Sequence, residues 1–204
     1  MEFDHIAISG NTLAEAVDHV EASLGVRLQA GGAHAVFHTH NMLLGLEDGL
    51  YLEAIAINPS APKPDRARWF DLDRFEGAAR LTNWICRCDD LEAALEGLGE
   101  DFGRPVDLQR GDLRWRMAVP QSGILPFANK APALIEWQTD VHPAAKLTPS
   151  GVRLRRLTLC HPDAKMLAAR MGGALVDDRI RFEQGTSAIS AAFDTPSGPR
   201  EIVG

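Results

Sequence analysis

Residues 3–26 read "FDHIAISGNTLAEAVDHVEASLGV". The first part is short and apolar, with Ile6, Ala7 and Ile8 in succession, and reads as a strand. Asn11 or Thr12 can then cap a helix, Leu13, Ala16, Val17 and Val20 recur on one helical face, and Gly25 is a stop signal. The stretch is therefore strand, turn and helix, with the helix expected at about 12–24. His5 lies in the middle of the strand. A histidine there is either a hydrogen-bonded core group or a side chain aimed into a cavity.

The same pattern returns. Residues 81–103, "LTNWICRCDDLEAALEGLGEDFG", give a strand over 81–87, a cap at Asp89 or Asp90, an apolar stripe of Leu91, Ala94, Leu95 and Leu98, and a stop at Gly99. Aligning Leu13 with Leu91 is a shift of 78 and places His5 on Asn83. A weaker third copy, "LRRLTLCHPDAKMLAARMGGAL", covers residues 154–175, with a helix expected at 162–171. Short strands follow each helix. After the first they are expected at 26–30, 36–46 and 50–57, the last two joined by a tight turn at Asp48-Gly49. After the third they are expected at 174–177, 180–184 and 188–194. Near the ends of the first two units, "YLEAI" aligns with "LIEWQ" and puts Glu53 on Glu136, a shift of 83.

The organisation that results is a first βαβββ unit over 1–60, a Pro-rich linker over 61–79 and a second unit over 80–146. A third, shortened unit follows over 147–204, all within one domain. Such internal periodicity is the strongest fold signal a single sequence carries.

Composition narrows the function. The chain has 204 residues, 45% hydrophobic and 24% charged, which is ordinary for a globular protein with a sizeable core. The net charge of −7 argues against nucleic acid and against an anionic membrane surface as partners. Three cysteines without a CxxC pair disfavour a structural zinc site. No leader or membrane-spanning run is evident, so a cytoplasmic location with reduced thiols is expected. Nothing resembles a GxSxG nucleophile elbow or a phosphate-cradling glycine loop.

The repeat, together with "DHIAI", "HTHNMLLGLEDGLYLEAIA", "LRWRMA", "LPF" and "LIEW", resembles the vicinal oxygen chelate superfamily. More narrowly it resembles the bacterial glyoxalase-like domain family. Thr39, Asn41, Tyr51, Leu52 and Glu53 match that family's pattern, whereas His38 replaces its usual glycine and "ANKAPAL" separates "LPF" from "IEW". The resemblance implies an α+β fold: repeated βαβββ units forming curved mixed sheets around a shared cavity, with the helices outside. It is compatible with a homodimer. It also implies metal ligands on the first and last strands of each unit, at His5, Glu53 and Glu136, with Asn83 at the fourth place.

Strand alternation supports that placement. Phe3, His5 and Ala7 share one face, as do Tyr51, Glu53 and Ile55, and as do Leu134, Glu136 and Gln138. A glutamate inside an apolar strand is costly unless it is paired or metal-bound. Three such ligands suit a divalent metal: zinc, manganese, nickel or magnesium. Thr39, Asn41, Asn83 and the pair Arg114 and Arg116 are candidate substrate contacts, the arginines as a clamp for a carboxylate. An iron extradiol site needs a second histidine where Asn83 stands, so a dioxygenase is disfavoured. The expected function is a metal-dependent lyase or isomerase on a small oxygenated or carboxylate-bearing metabolite, with Glu53 or Glu136 as the base. The alternative is a metal-free protein of the bleomycin-resistance type that binds or sequesters a small molecule.

Overall fold

A computed structural model describes residues 1–204. The first unit runs β1 (Glu2–Ser9), α1 (Leu13–Leu24), β2 (Gln29–His34), β3 (Thr39–Gly45) and β4 (Tyr51–Ile57). The second runs β5 (Arg80–Arg87), α2 (Leu91–Leu98), β6 (Arg104–Arg110), β7 (Leu113–Val119) and β8 (Ala133–Trp137). The local chemistry explains both helices. Thr12 accepts from the Glu15 N–H and Asp90 from the Ala93 N–H. Gly25 ends α1 in the left-handed conformation, with φ of 70°.

The two units join into one eight-stranded sheet of order β2-β3-β4-β1-β5-β8-β7-β6. Each unit pairs its first strand in parallel with its last, and β1 meets β5 antiparallel at the centre. The sheet is mixed and curls until its edge strands β2 and β6 approach each other. Its convex face carries Ile6, Ile8, Leu52, Trp84 and Leu134 in the main core with α1 and α2. Its concave face carries a second cluster that includes Ala7, Ile55, Ile85 and Ile135. The α+β fold of repeated βαβββ units with outer helices is the one the sequence predicts.

The third segment differs from a third copy. It runs β9 (Arg153–His161), α3 (Ala164–Met171), β10 (Ile180–Gln184), β11 (Ala188–Thr195) and β12 (Gly198–Val203). Its separate sheet has the order β10-β9-β11-β12, so the first strand sits beside the second rather than the last. No strand forms at 174–177, where Gly173 at φ of 75° and a turn at Asp177 interrupt the chain. Leu157, Leu159, Ile189 and Ile202 pack this sheet into the main core on the convex side.

Other boundaries move as well: the strand expected at 26–30 runs Gln29–His34. The strand expected from residue 36 begins only at Thr39, because His38, at φ of 52°, closes a turn back to the His34 carbonyl. The Pro-rich stretch 61–79 contains a turn over Trp69–Arg74 whose aromatic residues are buried.

Candidate active site

The site begins with an irregularity in β1. The pairing of β1 with β5 slips between Phe3 and His5, a β-bulge. Phe3 therefore joins the convex core, while His5 lines the concave cavity, so the two do not share a face as strict alternation predicts. Asp4 is fully buried beside His5, and its Oδ1 lies 2.6 Å from His5 Nδ1. Its Oδ2 accepts from Trp137 Nε1–H at 3.1 Å and lies 2.9 Å from His142 Nε2. Burial by itself would raise the pKa of Asp4, but the hydrogen bonds from His142 and His5 outweigh it and hold the carboxyl well below its usual range. An ionised Asp4 accepts from a proton on His5 Nδ1, which leaves Nε2 as the acceptor for the Tyr51 hydroxyl. That nitrogen is 3.4 Å from Tyr51 Oη and 3.8 Å from Glu53 Oε2. Burial, then the charges of Asp4 and Glu53, push the Tyr51 phenol well above its ordinary pKa, so it keeps its proton.

A second chain of contacts crosses from one unit to the other. Asn41 Nδ2–H donates to Glu53 Oε1 at 2.5 Å. Asn41 Oδ1 accepts from the Gly32 N–H at 2.8 Å and from Arg110 Nη1 at 2.9 Å. Arg110, at the end of β6, is also 3.3 Å from His34 Nε2, and His34 Nδ1 is 2.9 Å from Thr39 Oγ1. Burial, with the Arg110 charge adding to it, pushes the pKa of His34 down to about 3. His34 is thus a neutral acceptor beside a permanent cation. Gly31 and Gly32 permit this packing: a Cβ at Gly31 would lie 2.1 Å from Asn41 Oδ1, and one at Gly32 2.7 Å from Arg110 Cδ.

Aromatic residues form the walls. Trp69 and Phe70 enter from the 69–74 turn, Trp115 from β7 and Trp137 from β8. Arg68 anchors that turn through Phe37 O and Asp73. A water-sized sphere can be centred in about 30 Å³ of the space between these groups, and about 410 Å³ is free of atoms when the part open to solvent is counted.

Of the residues singled out in the sequence, His5, Asn41 and Glu53 line this cavity. Thr39 stands behind it, holding His34. Asn83 lies on the concave side opposite Ala7, but it is fully buried, and neither its Nδ2 nor its Oδ1 has a hydrogen-bond partner. Glu136 does not converge with His5 and Glu53. Its Oε2 accepts from the Leu91 N–H at the start of α2 and lies 3.3 Å from Arg116, on the convex side. Arg116 pairs there with Glu92 as well, and Arg114 is exposed. The face of the second unit that meets the cavity carries Trp115, Met117, Ile135 and Trp137 instead. Register explains the discrepancy: Ala7 stands opposite Glu53 while Ile85 stands opposite Ala133. A shift of 78 carries Ala7 onto Ile85, so the counterpart of Glu53 is Ala133 and not Glu136.

The donor set therefore does not fit the divalent metal that the fold resemblance implies. No group of three or more His, Cys, Asp and Glu side chains has the arrangement to hold an ion. His5 Nδ1 is committed to Asp4, Glu53 Oε1 to Asn41, and His34 Nε2 faces a guanidinium.

Among the side chains of the site that escaped the sequence reading are Asp4, His34, Arg110, Trp69, Trp137 and His142. Asp4 was hidden by the bulge and Arg110 by the assignment of the 114–116 arginines to the cavity. Trp69 sits in a stretch read as linker. Only the aromatic pair in "RWFDLD" hinted that this stretch packs.

This curled sheet of paired βαβββ units around a concave polar site defines the vicinal oxygen chelate class. The chain belongs to the glyoxalase-like domain family, whose sequence profile matches residues 3–175. No curated protein sequence matches it significantly. Among solved structures it is similar to a hypothetical protein from Staphylococcus aureus, at 16% identity and a TM-score of 0.58 over 83% of this chain and 73% of that one. It is also similar to methylmalonyl-CoA epimerase from Mycobacterium tuberculosis, at 16% identity and a TM-score of 0.45 over 70% of this chain and 91% of that one. No helix is long and apolar enough to cross a membrane.

Proposed function

We propose that this cavity carries out proton transfer on a small oxygenated or carboxylate-bearing metabolite, an isomerase- or lyase-type reaction with His5 as the base. The observation that carries the reading is the Asp4–His5 pair. Its buried carboxylate orients the imidazole and stabilises the imidazolium formed when Nε2 takes a proton. The acidic proton of such a substrate sits on a carbon beside a carbonyl. Abstraction leaves negative charge on the carbonyl oxygen, and the Tyr51 hydroxyl, 3.4 Å from His5 Nε2, is placed to donate to it. Glu53, held by Asn41, is the second proton carrier within reach.

The experiment is exchange in D₂O. A pool of small carboxylic and carbonyl metabolites, incubated with the protein, gains one deuterium in at least one compound by mass spectrometry. His5→Ala abolishes that gain. Labelling that persists in His5→Ala overturns the assignment. A second reading, capture without chemistry, draws on the mutual satisfaction of these polar groups: His5 is held by Asp4 and Glu53 by Asn41. It predicts ligand retention with no label in the wild type.

A further inference from the structure

The geometry points to a small aromatic carboxylate as the ligand of this cavity, its carboxylate oxygens on the free N–H groups of Arg110 and on Trp69 Nε1–H. This rests on reading the cavity as a substrate site and specifies what the site takes.

Arg110 contacts the protein's polar groups through Nη1 alone, at Asn41 Oδ1 and His34 Nε2. The Nε and Nη2 edge of the guanidinium, the side that matches a carboxylate with two parallel hydrogen bonds, has no protein acceptor. No carboxylate of the protein forms an ion pair with it, because Asn41 stands between Arg110 and Glu53 and bonds to each. A second idle donor is on another side chain that lines the cavity. Trp69 is 4% exposed, and its Nε1–H has no acceptor. Both side chains flank His34: the Trp69 and His34 rings meet edge to face at 5.0 Å, and Arg110 Nη1 is 3.3 Å from the His34 ring nitrogen. Two side chains that flank His34 and line the cavity thus carry hydrogen-bond donors that the protein leaves unused. A buried donor without an acceptor is costly, and a ligand oxygen is what relieves it.

The rest of the cavity selects a flat apolar body. The chain has four tryptophans and one tyrosine, and three of those tryptophans and the tyrosine line this cavity. Trp115 and Trp137 lie 5.6 Å apart at a tilt of 43°, and Met117 lines the same wall. Aromatic rings meet such walls in stacked or edge-to-face contact, and thioethers favour ring edges. The Arg110 corner is also close-packed, since a methyl group at Gly32 would strike the Arg110 stem.

Isothermal titration calorimetry with benzoate, benzamide and cyclohexanecarboxylate tests this. Benzoate binds at least tenfold more tightly than benzamide, its neutral isostere, and several-fold more tightly than cyclohexanecarboxylate. Trp69→Phe, which removes the N–H and keeps a ring, weakens benzoate several-fold and leaves benzamide less affected. Arg110→Met costs at least tenfold. Should that variant fail to fold because Arg110 ties β6 to β2, Arg110→Lys keeps the charge, loses the two-point geometry and weakens benzoate less than Met would. No heat from benzoate at about 10 mM, where a ligand of this size is detectable, overturns the proposal. So does equal affinity for benzamide, or benzoate affinity unchanged in Trp69→Phe and Arg110→Lys. Binding is read without turnover, so benzoate selectivity can fail while His5-dependent deuterium exchange persists, and the reverse pattern leaves this inference standing alone.

Discussion

Asp4 Oδ1 and His5 Nδ1 are 2.6 Å apart, although the residues are consecutive in a strand and ordinary alternation would point them to opposite faces. The bulge between Phe3 and His5 allows this by turning Asp4 inward. The position also gathers donors from Trp137 and His142, which arrive from β8 and from the segment after it. Asp4→Asn keeps the shape but sets an amide N–H₂ against some of those donors. It lowers stability by about 1–3 kcal/mol in urea unfolding. Deuterium exchange falls by about 10²-fold or more, because the His5 proton is no longer held on Nδ1. Exchange at the wild-type rate in Asp4→Asn would remove Asp4 from the mechanism.

Asn41 joins Gly32, Arg110 and Glu53. Asn41→Ala is expected to weaken ligand binding by about 1–2 kcal/mol and to lower stability by about 1–3 kcal/mol, since three partners lose a bond at once. Calorimetry and urea melts read the two effects separately. Gly31→Ala displaces the same amide by contact and reproduces the binding loss.

Stability should fall with acid well before the carboxylates titrate. In the folded protein the pKa of His34 lies near 3, against about 6.5 when unfolded. Between those values the unfolded chain binds a proton that the folded one does not. The linkage therefore makes stability rise with pH across this window, by up to about 1.4 kcal/mol per pH unit from this group. Asp4 acts in the same direction at lower pH, because its folded pKa is depressed and its stabilisation is lost as pH drops below about 4. Urea midpoints from pH 7 to pH 4 read the slope. His34→Gln flattens the upper part, and an unchanged slope would show that His34 titrates normally.

Glu136 accepts from the first N–H of α2 rather than facing the cavity. Glu136→Ala lowers stability by about 0.5–2 kcal/mol, the scale of a lost helix cap, and leaves benzoate affinity unchanged. A loss of binding comparable to that of an Arg110 substitution would return Glu136 to the site.

Asn83 is fully buried with both amide atoms unpaired. Asn83→Leu, similar in size and without polar atoms, raises stability by about 1–3 kcal/mol, because an unmet desolvation cost disappears. A lower melting temperature would show that the amide has a partner in solution.

Local chemistry in the sequence was enough for the elements and their repetition. Caps at Thr12 and Asp90, stops at Gly25 and Gly99 and the apolar stripes of α1 and α2 act over a few residues, so the chain displays them directly. The inward face of β4 was legible for the same reason: Tyr51–Ile57 is regular, and period-two alternation sorts Glu53 from Leu52 without further information.

What only the tertiary structure decided depends on register and on approach from a distance. A one-residue slip exchanges the faces of a strand. The bulge at Phe3 accordingly turned Asp4 inward, and the pairing of β5 with β8 put Ile135 and Trp137, rather than Glu136, on the cavity side. The order of the third sheet also lay beyond local signals, since strand–helix–strand–strand–strand is the same string for either topology. Arg110 and Trp69 reach His34 from 76 and 35 residues away along the chain, and no local pattern carries that distance. The curl of the sheet brings β6 against β2, and with it an arginine from one unit to the asparagine and histidine of the other.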